Sequence, residues 1–256
     1  MAIGTSTNQY FEDTFSANHA DFLSSPKSES YPSSGAPLET NVRPSQGQGK
    51  ASNEGTRPIT IIRHGATKLN NDDVSVDRIR GWNNIPLSKE GKEEAEKLGE
   101  KLKKEDAPDL LLTSDLHRAS ETAHIVSQKA GIPVKEETQG FRPWNVGELA
   151  GQVSKHAVPL LADYATKKPD EKVPGGESFN DFKGRFMGAL KDAMEKYPDQ
   201  HLGIVTHHRG ERLLKAWEAK GFPEDGTIDH DTFTQKGDHT GAAIKMDVPQ
   251  SKVEAA

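Results

Sequence analysis

The chain predicts an α/β fold whose sheet is mostly parallel and covered by helices, and three observations carry this. Short apolar runs around Ile61, Leu111 and Ile204 are too brief for helices and lack the alternation of a half-exposed strand, so they read as strands buried on both faces. Helical periods lie between them, in the rhythm of βαβ units. Each run also ends in polar residues able to do chemistry, at the strand ends where parallel sheets bind ligands.

Composition bounds what such a fold does. Of 256 residues only 32% are hydrophobic, and residues 1–57, rich in Ser, Asn, Gly and Pro, hold just ten large apolar side chains. Ordering that stretch would cost on the order of 60–100 kcal/mol of backbone entropy, at about 1–2 kcal/mol per residue, which so few apolar groups do not offset. A disordered tail over 1–57 and one folded domain over 58–250 are therefore expected. The tail's one apolar patch, Tyr10, Phe11, Phe15, Phe22 and Leu23, would either fold on a protein partner or dock on the domain, the alternative being a nonspecific sticky segment. A formal net charge of −6 gives no general attraction to nucleic acid or an anionic membrane, so a bound anion needs a local cluster of basic residues. The absence of cysteine removes thiolate nucleophiles and Cys-ligated zinc. No apolar run approaches the roughly 20 residues of a membrane helix, and the N-terminus lacks the order of a signal peptide, so a cytoplasmic location is expected.

The elements follow in order. The first strand, Ile59, Thr60, Ile61 and Ile62, ends at Arg63-His64-Gly65, where the glycine lets the backbone turn and approach a bound group. The polar loop 70–80 carries Asp72, Asp73 and Asp77 without the glycine and distal glutamate of a calcium loop, and reads as a solvated turn. Ser88 stands as N-cap of a helix with Ala95, Leu98, Gly99 and Leu102 on its inner stripe and a solvated Lys/Glu face. A second strand over 109–113 leads to Ser114, Asp115 and a helix with Arg118 in its first turn, Ala119, Ala123, Val126 and Ala130 inward, and a stop at Gly131. A short strand over 132–134 comes next. The stretch 139–176 is irregular, with a short helix over 156–164, and reads as a lid. Phe179, Phe182, Phe186, Leu190 and Met194 mark a core helix, and residues 202–206 a third buried strand ending at His207-His208-Arg209. A helix with Leu213, Leu214 and Trp217 stops at Gly221. His230 and His239 read as solvated, and residues 241–248 as a last edge strand.

The three strand ends offer Arg63, His64, Arg118 and His207 to one rim. Guanidinium forks suit phosphate oxygens, and a neutral imidazole, with an unperturbed pKa of about 6.5, can attack phosphorus in line. A phosphorylated small molecule or phosphoprotein is the expected guest.

Arg63-His64-Gly65-Ala66-Thr67 with Asn70, Gly81 and Pro86-Leu87-Ser88 resembles the histidine phosphatase superfamily, also called phosphoglycerate mutase-like. The segment 113–119 resembles its second arginine motif, 175–178 its Gly-Glu-Ser element, and 205–207 its second histidine. The resemblance spans 58–248 and implies a three-layer α/β/α sandwich needing no metal or cofactor. It implies that His64 becomes a phosphohistidine, that Arg63, Arg118 and His207 bind the phosphoryl group, and that Asn70, with Thr67 beside it, lines the pocket. Two departures stand out. Pro143 occupies the place of the glutamate that protonates the leaving group, so Glu148, Asp115 or another carboxyl substitutes, or the enzyme works without a strong acid. His208 and Arg209 replace small residues after the second histidine and are expected to shape substrate choice. The expected activity is metal-independent phosphomonoester hydrolysis favouring good leaving groups. The alternatives are a phosphoglycerate mutase-type phosphotransferase and a catalytically weak phosphate-binding or scaffold protein.

Overall fold

The computed structural model describes residues 55–70, 73 and 75–249. The aromatic patch of the first 57 residues and Asp72 lie outside the described residues.

The five strands are β1 (Thr56–Arg63), β2 (Leu110–Ser114), β3 (Val134–Thr138), β4 (Leu202–Thr206) and β5 (Ala243–Pro249). They form one sheet in the order β3-β2-β4-β1-β5. The pairs β2–β3, β2–β4 and β1–β4 are parallel, and β5 closes the far edge antiparallel to β1. β1 begins earlier than the apolar run suggests. Thr56 pairs with Pro249 and Arg57 with Val248, and the buried Arg57 guanidinium donates to the Met194 carbonyl at 2.6 Å. Polar Arg57 therefore belongs to the sheet, not to the tail.

Successive strand residues point to opposite faces, and each face has its own core. On one, Ile59, Ile61, Leu112 and Ile204 pack against α3 (Ser154–Thr166), α4 (Phe179–Lys196) and α5 (His208–Ala219). On the other, Ile62, Leu111 and Val205 pack against α1 (Lys89–Leu102) and α2 (His117–Ala130). The result is three layers.

Ser88 caps α1 by accepting from Gly91 N, and Gly131, at φ 77°, ends α2 in the left-handed region. The stretch 139–176 is tied down rather than loose. Two single 3-10 turns precede α3, and Trp144, 1% exposed, packs edge-on against Phe179 at 5.5 Å. A five-residue helix, α6 (His230–Thr234), precedes the segment that leads into β5. Among the described residues no helix is long and apolar enough to cross a membrane.

Candidate active site

Register brings the two histidines together. Arg63 pairs with Thr206 across the parallel β1–β4 ladder, and His64 N donates to Thr206 O at 3.0 Å. The residues that leave these adjacent strands, His64 and His207, consequently meet with ring centroids 5.1 Å apart. Arg118 enters from the first turn of α2, at the end of the next strand in the sheet. The loop after β1 is pressed onto α1, because a Cβ on Gly91 would fall 2.0 Å from Ala66 O and one on Gly65 2.3 Å from Gly91 O. Only glycine permits that approach.

These residues line a cavity of about 750 Å³ at the C-terminal ends of the strands. A smaller groove of about 230 Å³ between α4 and α5 holds no histidine or arginine.

Hydrogen bonding fixes the state of His64. Its Nδ1 lies 2.7 Å from the Gly65 carbonyl, which only accepts, so Nδ1 carries the proton and Nε2 the lone pair. Burial, then the charge of Arg118, holds the imidazole well below its ordinary pKa, and the same two causes act on His207. Both rings are 2% exposed and neutral. Around them, Arg63 Nε, Arg118 Nε and His207 Nδ1 are buried with no hydrogen-bond partner. Arg118 is aimed by the Asn83 and Gly81 carbonyls, each at 2.8 Å, and Arg63 by the Asp238 carbonyl. Burial, then Arg80, pushes the Arg118 guanidinium down. An unsatisfied buried donor costs about 1–3 kcal/mol, more for a charged group.

The other expected residues divide. Asn70 lines the cavity. Thr67 is not among the lining residues; its N and Oγ1 both donate to Asn70 Oδ1 at 2.9 Å, which leaves the Asn70 amide nitrogen as the donor for a ligand. His208 and Arg209 both line the cavity, but the His208 ring serves structure, since its Nε2 accepts from Gly237 N at 2.9 Å. Burial, then Arg209, holds that ring well below its usual pKa.

Glu148 is not brought in. It is exposed, outside the cavity lining, on a 3-10 turn whose amide bonds the Pro174 carbonyl at 2.9 Å. Asp115 is also absent from the lining and is held by both carboxylate oxygens on Arg142, each contact 2.6 Å. Pro143 does line the cavity.

Two loop residues expected in solvent are instead part of the wall. Asp77, its side chain 16% exposed, pairs with Arg80 at 3.0 Å, accepts from Ser154 Oγ and lines the cavity with both. Their opposite charges three positions apart were the available signal. Glu94, assigned by its helix face to solvent, lies between the buried positions Gly91, Ala95 and Leu98. It accepts from Ala66 N at 2.8 Å and from Thr240 Oγ1 at 3.0 Å. His239 is exposed as expected, yet stands at the cavity rim. Among the described residues no group of three or more His, Asp or Glu side chains is placed to hold a metal ion.

Comparison with known proteins places the chain in a family. Over 154 residues the chain is 29% identical to phosphoglycerate mutase-like protein 4 of Arabidopsis thaliana, covering 58% of this chain and 65% of the relative. It is 30% identical over 154 residues to a metal-independent phosphoserine phosphatase of the same plant, covering 58% and 63%. The match thus spans somewhat under two thirds of either relative. The fold is shared with a mycobacterial glucosyl-3-phosphoglycerate phosphatase at TM-score 0.57 and 23% identity, over 75% of this chain and 90% of that one. The family model of the histidine phosphatase superfamily, branch 1, matches residues 59–229, which contain both histidines and both arginines of the site, and the chain belongs to that superfamily.

Proposed function

We propose that the protein is a phosphomonoester hydrolase that passes the phosphoryl group through His64. The observation that carries this is the free Nε2 lone pair of His64 beside three buried, unpartnered donors on Arg63, Arg118 and His207. In the first step Nε2 attacks phosphorus, the N–P bond forms, and the P–O bond to the leaving group breaks. The two guanidiniums take up charge on the phosphoryl oxygens, the role a metal ion plays elsewhere. The Ser114 hydroxyl, 2.8 Å from His207 Nε2, donates to that nitrogen, so that His207 Nδ1–H serves a phosphoryl oxygen. Water then attacks phosphorus, the P–N bond breaks and inorganic phosphate leaves. The name of the metal-independent phosphoserine phosphatase relative supports a reaction without a metal.

Among the described residues no cavity carboxyl is free to protonate the leaving group. Asp77 is paired with Arg80, Asp238 with Lys215 at 2.5 Å, and both oxygens of Glu94 accept hydrogen bonds. Lys215 also holds the Asp238 carboxyl below its usual range. The site therefore favours groups that depart without a proton.

Rapid quenching after mixing with a labelled aryl phosphate tests the reading. Acid-labile, base-stable label is expected on the protein, and none on His64→Ala. Equal labelling of that variant, or label that resists acid, overturns the assignment.

A further inference from the structure

The cavity holds more positive charge than one phosphoryl group uses. Of its five cationic side chains, Arg63 and Arg118 serve the transferred group, and Arg80 is balanced by Asp77 at 3.0 Å. Arg209 and Lys236 remain. The other two carboxylates of the wall are engaged elsewhere, Glu94 by Ala66 N and Thr240, Asp238 by Lys215. Among the described residues Arg209 has neither an ion pair nor a hydrogen bond. Its guanidinium lies 5.4 Å from the Phe233 ring centroid in α6, which places it beside Thr234, Gln235 and Lys236, lining residues that follow Phe233 directly. Burial, then the charge of Arg212, pulls it down to about 10.

Arg209 does not act as a third guanidinium on the same phosphoryl group. His207 is the extended N-cap of α5, whereas Arg209 lies within the first turn of the helix and its guanidinium packs on Phe233 of α6. The first turn of α5 also opens at this wall, and the N-cap side chain does not cap its N–H groups, so the positive end of the helix adds to the same field. Apolar Ile79, Val146, Val158 and Leu161 also line the cavity.

From this arrangement we propose a second anion subsite: the substrate is a phosphomonoester carrying a further carboxylate or phosphate, seated on the Arg209 guanidinium with Lys236 at the rim, its body against the apolar lining. This rests on the hydrolase reading above.

Phosphonates, whose C–P bond does not break by this route, test it by titration calorimetry on the full chain at low salt. The three ligands are propylphosphonate, 3-phosphonopropionate and propane-1,3-diphosphonate, and the latter two separate a carboxylate from a second phosphate. At least one of these two should bind the unchanged protein tenfold or more tightly than propylphosphonate. Arg209→Gln should bring that advantage below threefold, and Arg209→Lys, which keeps charge but loses the fork, should retain part of it. Should the glutamine variant fail to fold, Arg209→Lys and the exposed Lys236→Gln must each lower the advantage at least twofold. Equal affinities in the unchanged protein, no binding of any ligand, or an advantage that survives the substitutions overturns the subsite. Aryl phosphate hydrolysis by the same preparation separates the two failures: binding advantage without hydrolysis sinks only the hydrolase reading, and hydrolysis without the advantage sinks only the subsite.

Discussion

At the cavity wall Pro143 presents a ring that carries no proton, and its backbone is pinned by Trp82 Nε1 at 2.8 Å and Arg185 Nη2 at 3.2 Å on the carbonyl. Trp82 is itself covered by the Arg142 guanidinium at 4.6 Å. The position is thus rigid, and a side chain placed there projects from a fixed backbone. General acid catalysis contributes about 10²–10⁴ in rate, so the unchanged protein should turn over aryl phosphates at least about 10² faster than alkyl phosphates. Pro143→Glu should raise kcat for alkyl esters at least tenfold and leave aryl esters nearly as they were. Measuring kcat across leaving groups of graded basicity checks both; a flat dependence in the unchanged protein would mean that an acid is already present. At this scale Arg63, His64, Arg118 and His207 were legible because each stands at or just after a strand end. Asp77, Arg80 and Glu94 were not: the local Asp77–Arg80 pair does not by itself tell a cavity wall from a solvated turn, and the other partners are supplied by the fold, Ser154 from α3 closing on Asp77 and the loop after β1 pressing onto Glu94.

Among the elements, those with strong local chemistry were legible. The Ser88 cap, the Gly131 stop and the stretch 202–206 mark real boundaries. β3 was read two residues early and too short, because Val134–Thr138 alternates Lys135 and Glu137 outward and looks polar. Only pairing with β2 makes it a strand. α6 has five residues, too few to show a period. The tightest joint between elements is that of α1 with the loop carrying His64. A Cβ at Gly91 meets backbone, which cannot rotate away. Gly91→Ala should therefore destabilise the protein by about 1–3 kcal/mol, the usual range for overpacking, and should also slow turnover by displacing Ala66 and its neighbours. Denaturant unfolding and kcat on one aryl phosphate check this, and a stable, fully active variant would show that the loop shifts freely.

For the molecule as a whole, a chain of net charge −6 encloses a desolvated cationic cavity with two neutral imidazoles, and folding is thereby linked to pH. Unfolded histidine titrates near pH 6.5, while burial and Arg118 hold His64 and His207 well below that value in the fold. Below pH 6.5 the unfolded chain binds the protons that the folded one refuses. The stability due to these groups is full above that pH and is lost as pH falls through it. Each contributes up to about 1.4 kcal/mol per pH unit, so unfolding free energy should drop by about 3 kcal/mol between pH 7.5 and 5.5 from this pair. His201, buried at the start of β4 and lowered by burial, adds to the drop from the other end of the strand. A bound phosphate offsets the arginine charges and favours the imidazolium form, so saturating inorganic phosphate should shrink the share due to His64 and His207 and leave that of His201. Urea unfolding across this range, with and without phosphate, measures both slopes. Stability that stays constant from pH 7.5 to 5.5 would mean that the imidazoles accept protons in the folded protein, and that His64 is not held as the neutral nucleophile.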